Sequence, residues 1–185
     1  KDSRRIQLRA NLELPDRVAR VREFGAEGIG LFRTEYLFLA RPDLPSEDEQ
    51  VAAYETVARA VHPAPVVIRT LDAGGEKLLP HLHMPEQSSS ALGCVGIRLS
   101  LARPDVFKTQ LRAILRAARV GNISLMYPMV SGADEIIQAN DVLRHAVDEL
   151  HAEGRDFNPN PEIGAMIEIP SAAMTVDLIA PHVSF

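Results

Sequence analysis

Five short apolar runs, each followed by a longer amphipathic stretch, are the feature of this sequence that most restricts its fold. The runs lie close to residues 6–12, 28–33, 65–69, 123–127 and 163–169. They are nearly continuous in apolar residues, which is typical of strands that are buried on both faces of a parallel sheet. Strands that alternate with helices in this way form right-handed βαβ units. The pattern therefore predicts an α/β fold with about five strand–helix units, and a sixth strand that begins near Val183.

Helix start and stop signals support the same division. Pro15 is predicted to open the first helix and Gly25 to close it, because proline suits the first turn and glycine suits the end. Ser46 and Glu49 are spaced as a capping box at the start of the next helix. The stretch from about Asp72 to Arg103 is predicted to be a long loop, and such loops are often functional. Later helices are predicted over residues 104–120, 133–153 and 171–180.

Two architectures fit this order of elements. One is an open doubly wound sheet, and the other is a (β/α)8 barrel that is cut short, since a closed barrel needs roughly 200 residues or more. The chain has 185 residues. The strand pattern alone leaves both architectures open.

The composition limits the partners that the chain can have. A formal net charge of −5 gives no reason to expect nucleic acid or an anionic membrane as a partner. No apolar run is long enough to span a membrane, and a single cysteine cannot form an internal disulfide, which fits a cytoplasmic protein. An anionic ligand would have to be bound by a few placed arginines rather than by a general basic field.

Three charged residues follow predicted strands at their carboxyl ends, where α/β proteins bind ligands. Arg33 ends the second strand, Arg69 ends the third, and Glu168 lies near the end of the fifth. Guanidinium groups present paired donors that fit phosphate and carboxylate oxygens, so the two arginines could clamp a small dianion. A glutamate supplies oxygen of the kind that Mg²⁺ prefers, and the metal would let an acidic residue and an anion share one pocket.

A structural alternative explains the same residues without a ligand. Glu35 and Asp72 follow the two arginines closely enough in sequence to neutralise them, which would make the set an ion-pair network. In the long loop, residues 74–77 (GGEK) combine two glycines with a lysine and could approach a ligand, although a plain turn also explains them. The residues by themselves do not choose between a ligand site and a structural network.

Three longer motifs resemble the phosphoenolpyruvate-utilising enzymes. They are residues 28–38 (GIGLFRTEYLF), residues 44–50 (LPSEDEQ) and residues 69–77 (RTLDAGGEK). Together they are similar to enzyme I of the bacterial sugar phosphotransferase system, more than to pyruvate phosphate dikinase or phosphoenolpyruvate synthase. The resemblance covers nearly the whole chain.

The resemblance implies that residues 1–185 are a truncated (β/α)8 TIM-type barrel, with the phosphohistidine and HPr-binding domains outside them. It implies that Arg33 and Arg69 bind phosphoenolpyruvate and that Glu168 ligates Mg²⁺, with no catalytic residue inside this chain. The complete enzyme would pass the phosphoryl group of phosphoenolpyruvate to one of its own histidines and then to the carrier protein HPr. Pyruvate would be released, and the enzyme would be a cytoplasmic homodimer.

The chain departs from the family pattern after the long loop. The family has Asn-Pro-x-Leu-Gly-x-Arg-x-Ile-Arg, whereas residues 89–98 are SSALGCVGIR, so that Val95 stands in place of an arginine and Arg98 is kept. Losing a cation there could weaken phosphate binding by ~1.5–3 kcal/mol. The family's second magnesium ligand and its proton-donating cysteine would lie beyond Phe185, and Cys94 is not that cysteine.

Two rival functions remain open at this point. A pyruvate phosphate dikinase or phosphoenolpyruvate synthase type enzyme would need an ATP-grasp domain outside these residues. A non-catalytic relative that only dimerises or binds partners is suggested by Val95 and by the serines at 88–90. We expect the chain to be part of a longer protein and inactive alone, with unpaired edge strands that promote association.

Overall fold

The computed structural model describes residues 5–39, 41, 43–73 and 93–185. These residues form one five-stranded sheet, with strands β1 (Ala10–Leu12), β2 (Ile29–Arg33), β3 (Val66–Arg69), β4 (Ile123–Tyr127) and β5 (Ile163–Ala165). Neighbouring strands pair in parallel, in the order β1-β2-β3-β4-β5. This sequential order, without the reversal of a doubly wound sheet, is consistent with part of a barrel.

Helices follow every strand of this sheet. They are α1 (Ala19–Glu23), α2 (Glu35–Leu39), α3 (Glu47–Val61), α4 (Ile97–Ala102), α5 (Pro104–Ala117), α6 (Ala133–Ala152), α7 (Pro170–Met174) and α8 (Val176–Ile179). Short 3₁₀ turns occur at Pro15–Arg17, Ala118–Val120 and Ala180–His182. Helix α5 lies between α3 and α6 and contacts both. None of the helices within the described ranges is both long and apolar enough to cross a bilayer.

Burial alternates along β4. On β4 the buried positions are Ile123, Leu125 and Tyr127. Ser124 and Met126, which point to the opposite face, are only half-buried. The expected burial on both faces is correct for β3, where all four residues are buried, and wrong for β2 and β4. On β4 the helical layer covers one face, while the other face stays partly accessible. On β2 the buried residues Ile29 and Phe32 are three apart, so half-buried positions lie on both faces.

The fifth strand is shorter than the apolar run predicts. The run extends to Ile169, but β5 ends at Ala165. The N–H of Met166 still donates to the carbonyl oxygen of Tyr127 at 2.9 Å. Because Tyr127 is the last residue of β4, the ladder between the two strands stops there.

Two short helices, α2 and α4, are not predicted by the sequence patterns. Helix α4 lies inside the stretch expected to be a long loop, so that expectation is wrong for Ile97–Ala102. Helices of five or six residues are too short to show a helical period. Their formation depends on burial of Phe38, Ile97 and Leu99, which are at most 1% exposed.

The backbone of Ser184 and Phe185 is hydrogen-bonded to β5. The N–H of Ser184 donates to the carbonyl oxygen of Ile163 at 2.6 Å, and the N–H of Ala165 donates to that of Phe185 at 3.1 Å. A sixth strand was expected from Val183 at this place, but residues 183–185 do not form a strand of the described sheet, so that expectation stays a prediction.

The capping box of α3 is also confirmed. The hydroxyl of Ser46 accepts the N–H of Glu49 at 3.3 Å, and the carboxylate of Glu49 accepts the N–H of Ser46 at 2.8 Å. Arg41 donates to the same carboxylate at 2.8 Å. These hydrogen bonds, that from Arg41 first, lower the pKa of Glu49 to about 2.

Acidification is expected to weaken α3 through Glu49. Because the pKa of Glu49 is lowered from 4.5 to about 2, its contribution to stability is complete above pH 4.5 and is lost as the pH falls through about 2. In Glu49→Gln, which keeps a side-chain acceptor but does not titrate, urea unfolding should show a smaller loss of stability on acidification. Ser46→Ala is the control, with a loss of about 1 kcal/mol at neutral pH from the missing cap. An unchanged pH dependence in Glu49→Gln would contradict the assignment.

Candidate anion-binding site

Arg33 and Arg69 end neighbouring strands at the same level of the sheet. The register pairs Arg33 of β2 with Arg69 of β3. Residues paired in this way point to the same face, and their backbones lie about 4.8 Å apart. The structure thus places the two predicted arginines side by side at the carboxyl edge of the sheet.

Arg69 is held by carboxylates on both sides. Its Nη2 donates to Glu35 Oε1 at 2.9 Å, and its Nη1 lies 2.8 Å from Asp72 Oδ2. The side chain of Arg69 is only 10% exposed. Burial raises the pKa of Glu35, and the charge of Arg69 opposes that shift. The ion-pair network that the structural alternative predicts is therefore present around Arg69.

Arg33 has a different partner from the one that sequence proximity suggests. Its Nη1 donates to Glu13 Oε1 at 2.6 Å, whereas Glu35 pairs with Arg69. Glu13 directly follows β1, so it belongs to the same edge of the sheet. The strand-end rule that identified the arginines would also have identified Glu13, had it been applied to the first strand.

The inner nitrogens of the two arginines lack acceptors. Arg33 Nε and Arg69 Nε are both buried, and neither has a hydrogen-bond partner in the described structure. A buried donor without an acceptor costs about 1–3 kcal/mol, and more when it is charged. Guanidinium groups bind oxyanions through paired N–H donors, of which Nε can be one. Two such donors at neighbouring positions suit an anionic ligand with several oxygens.

A buried polar network lies directly beneath the arginines and fixes the strand ends. Gln110 of α5 donates to Thr34 Oγ1 at 3.1 Å and accepts the N–H of Leu71 at 2.9 Å. Thr34 Oγ1 donates in turn to the carbonyl oxygen of Arg69 at 3.0 Å. Gln110 and Thr34 are at most 1% exposed. One buried amide therefore ties together the ends of both strands that carry the arginines.

Glu168 lies on the loop after β5 and is exposed. Its Oε1 accepts the N–H of Met129, on the loop after β4, at 2.8 Å. The carboxylate chemistry fits one position in the coordination shell of Mg²⁺. Within residues 5–39, 41, 43–73 and 93–185 there is no group of three or more acidic, histidine or cysteine side chains placed to hold a metal. Glu168 could therefore supply one ligand, with the remaining ligands coming from the substrate or from other residues.

Of the remaining residues that the sequence singled out, Val95 and Arg98 lie within the described residues and residues 74–77 do not. Val95 is described and is 5% exposed, so an apolar side chain is buried where the family pattern has an arginine. Arg98, one turn into the same segment, donates to the carbonyl oxygens of Gly93 and Met129 at 2.8 and 3.1 Å. Residues 74–77, with their two glycines and lysine, lie outside the described residues.

A parallel sheet in sequential order, with paired arginines at its carboxyl edge, defines the chain as an α/β protein with a candidate anion site. The chain belongs to the family of PEP-utilising enzymes, as their PEP-binding domain: the model of that family matches residues 1–185.

Curated relatives agree with this assignment. The chain is 45% identical over 184 residues to the phosphoenolpyruvate-protein phosphotransferase of Priestia megaterium. It is 43% identical over 185 residues to the protein of that name from Bacillus subtilis, and 43% identical over 184 residues to that from Staphylococcus carnosus. Each comparison covers 100% of this chain but 32% of the relative. The resemblance noted in the motifs is thus confirmed, and the relatives are transferases by name.

Proposed function

We propose that this chain supplies part of the phosphoenolpyruvate site of an enzyme I type phosphotransferase. The complete enzyme transfers the phosphoryl group of phosphoenolpyruvate to one of its own histidines and then to HPr, and releases pyruvate. Further strand–helix units outside these residues close the sheet into a (β/α)8 barrel. The protein works in the cytoplasm as a homodimer, as the family resemblance implies.

The observation that carries this proposal is the pair of buried, unpartnered Nε donors on Arg33 and Arg69. The two side chains are in register, so one ligand can contact both. Phosphoenolpyruvate carries a phosphate and a carboxylate, both of which match guanidinium donors. Phosphoryl transfer depends mainly on positioning and on neutralising charge, which fixed arginines provide.

The charge balance around the arginines supports a divalent cation in the site. Glu13, Glu35 and Asp72 already neutralise the two guanidinium groups. An anion that enters needs additional positive charge, and Mg²⁺ bound through Glu168 would supply it while stabilising the enolate that leaves. The protein's own part is to hold the substrate anion with Arg33 and Arg69.

A labelling experiment on the full-length protein tests the proposal. With Mg²⁺ and phosphoenolpyruvate labelled in its phosphate, the protein is expected to acquire label on histidine and to pass it to HPr. Labelling that also requires a reaction with ATP would favour a dikinase or synthase type enzyme. A folded protein that acquires no label would favour a non-catalytic relative, the candidate suggested by the buried Val95.

Restoring the missing cation is expected to strengthen substrate binding. Val95→Arg adds a guanidinium group in a segment that borders the site, and one charged hydrogen bond is worth about 1.5–3 kcal/mol, or roughly tenfold or more in affinity. Calorimetric titration with phosphoenolpyruvate measures the change. Val95→Leu is the control, because it enlarges the buried side chain without adding charge. Equal affinities for these two variants would show that residue 95 does not face the ligand.

A further inference from the structure

We propose that Arg98 is a positioning residue that orients Glu168 by holding Met129, which lies between them. The proposal rests on the function proposed above, in which Glu168 is a metal ligand. Arg98 is on α4, Met129 on the loop after β4, and Glu168 on the loop after β5. The three residues form one chain of contacts across the carboxyl edge of the sheet.

Met129 has an unusual backbone conformation. Its φ of 54° makes it the single non-glycine residue with a positive φ in the described ranges. Such conformations are strained, persist where surrounding contacts enforce them, and concentrate at functional sites. Here the N–H of Met129 donates to Glu168 Oε1 at 2.8 Å, so the conformation is linked to the carboxylate proposed to bind the metal.

Arg98 makes contacts that hold this loop. Its Nη1 donates to the carbonyl oxygen of Met129 at 3.1 Å and to Glu135 Oε1 at 3.2 Å. The other carboxylate oxygen of Glu135 accepts the N–H of Ser131 at 2.6 Å. One partly buried ion pair therefore holds the backbone at Met129 and again two residues later.

The start of α4 also blocks movement of Met129 toward it. A Cβ added at Gly96 would lie 2.7 Å from Met129 Cβ, so the two backbones are in close contact. The N–H of Ile97 donates to the carbonyl oxygen of Pro128 at 3.2 Å. Ile97 thus binds the backbone just before Met129, and Arg98 binds the carbonyl oxygen of Met129 itself.

Arg98 therefore acts on Glu168 through Met129, by fixing the N–H that orients the carboxylate. Groups that orient a metal ligand change metal affinity about 10- to 100-fold when they are removed. We expect Arg98→Met to weaken metal binding by about tenfold, the lower end of that range, because its influence passes through the backbone. Arg98→Lys keeps one donor and should have a smaller effect.

The test uses Mn²⁺ as the probe, with the full-length protein and phosphoenolpyruvate, and reads binding by electron paramagnetic resonance. Hydrogen–deuterium exchange of the peptide that contains Met129 is the second readout. In Arg98→Met, Mn²⁺ binding should weaken by about tenfold and exchange at Met129 should accelerate. Glu135→Gln, which keeps the shape of the side chain, should shift both readouts in the same direction. Arg59→Met, which removes a guanidinium that pairs with Glu55 on α3, away from this chain of contacts, should change neither.

The outcomes separate this inference from the proposed function. If the unmodified protein binds no Mn²⁺ in the presence of phosphoenolpyruvate, the proposed function fails and this inference fails with it. If the unmodified protein binds Mn²⁺ and Arg98→Met binds it equally well, only the inference is overturned. Exchange at Met129 that stays slow in Arg98→Met also overturns it, because Arg98 would then not hold the loop.

Discussion

Replacing Arg69 with alanine is expected to lower the free energy of unfolding by about 3–5 kcal/mol and to remove measurable phosphoenolpyruvate binding. The side chains of Arg69 and Glu35 are only 10% and 14% exposed, so the substitution leaves buried carboxylates without their cation. Asp72, at 19% exposure, loses the same partner. Urea unfolding and calorimetric titration of the full-length protein measure the two effects.

The destabilisation should depend on pH in a defined direction. Burial raises the pKa of Glu35 even with Arg69 present, and loss of Arg69 removes the main opposing charge. An acid with a raised pKa favours the folded state when protonated, and this contribution is lost as the pH rises through the folded-state pKa. The deficit of Arg69→Ala should therefore be largest at neutral pH and should shrink on acidification toward pH 4.5, the ordinary value for Glu35.

A double variant separates the structural effect from the binding effect. Arg69→Ala combined with Glu35→Gln removes the unpaired carboxylate, so it should recover part of the lost stability. It should not recover phosphoenolpyruvate affinity, because the guanidinium group is still missing. Recovery of both would mean that Arg69 serves only the ion-pair network and does not contact the ligand.

Replacing Arg33 with alanine should weaken phosphoenolpyruvate binding by about 10- to 100-fold, from the loss of a charged hydrogen bond worth about 1.5–3 kcal/mol. Stability should hardly change. The Arg33–Glu13 pair is 41% and 51% exposed, and exposed pairs contribute about 0–1 kcal/mol. The Arg33→Ala and Arg69→Ala variants are thus both expected to lose phosphoenolpyruvate affinity, but only Arg69→Ala is expected to lose much stability.

Two matched variants check the role of Arg33. Arg33→Lys keeps the charge but loses the forked donors, so its affinity should fall between those of the parent and Arg33→Ala. Glu13→Gln releases Arg33 from its ion pair and should leave affinity unchanged or raise it. Wild-type affinity in Arg33→Ala, measured by the same titration, would remove Arg33 from the proposed clamp.

The two arginines were predictable because they obey a local rule. Each ends an apolar run, and the carboxyl ends of parallel strands meet at one edge. Their partners were less predictable. Glu35 pairs with Arg69, from the neighbouring strand, because it stands in the first turn of α2 rather than continuing β2. A five-residue helix has no periodic signal of its own, so the exchange of partners could not be read from spacing.

The role inferred for Arg98 depended on the folded chain throughout. Arg98 and Met129 are 31 residues apart, and Met129 and Glu168 are 39 apart. The positive φ of Met129 has no sequence signature, because methionine rarely adopts it. The sequence around Gly96 predicted only a loop. In the structure Gly96 directly precedes α4 and lies in close contact with Met129, on the loop after β4.

The sequence by itself determined the parallel α/β order, the main helix boundaries, the capping box of α3 and the family, because these follow from periodicity, end signals and contiguous motifs. Only the tertiary structure decided that the strands follow one another without reversal, that one face of β4 stays partly exposed, and that β2 is only partly buried. Only the tertiary structure shows that Arg33 pairs with Glu13 and that the buried Nε atoms of Arg33 and Arg69 have no hydrogen-bond acceptor in the described structure. These hydrogen bonds and this burial depend on contacts between side chains of different strands and loops, and the local sequence does not specify those contacts.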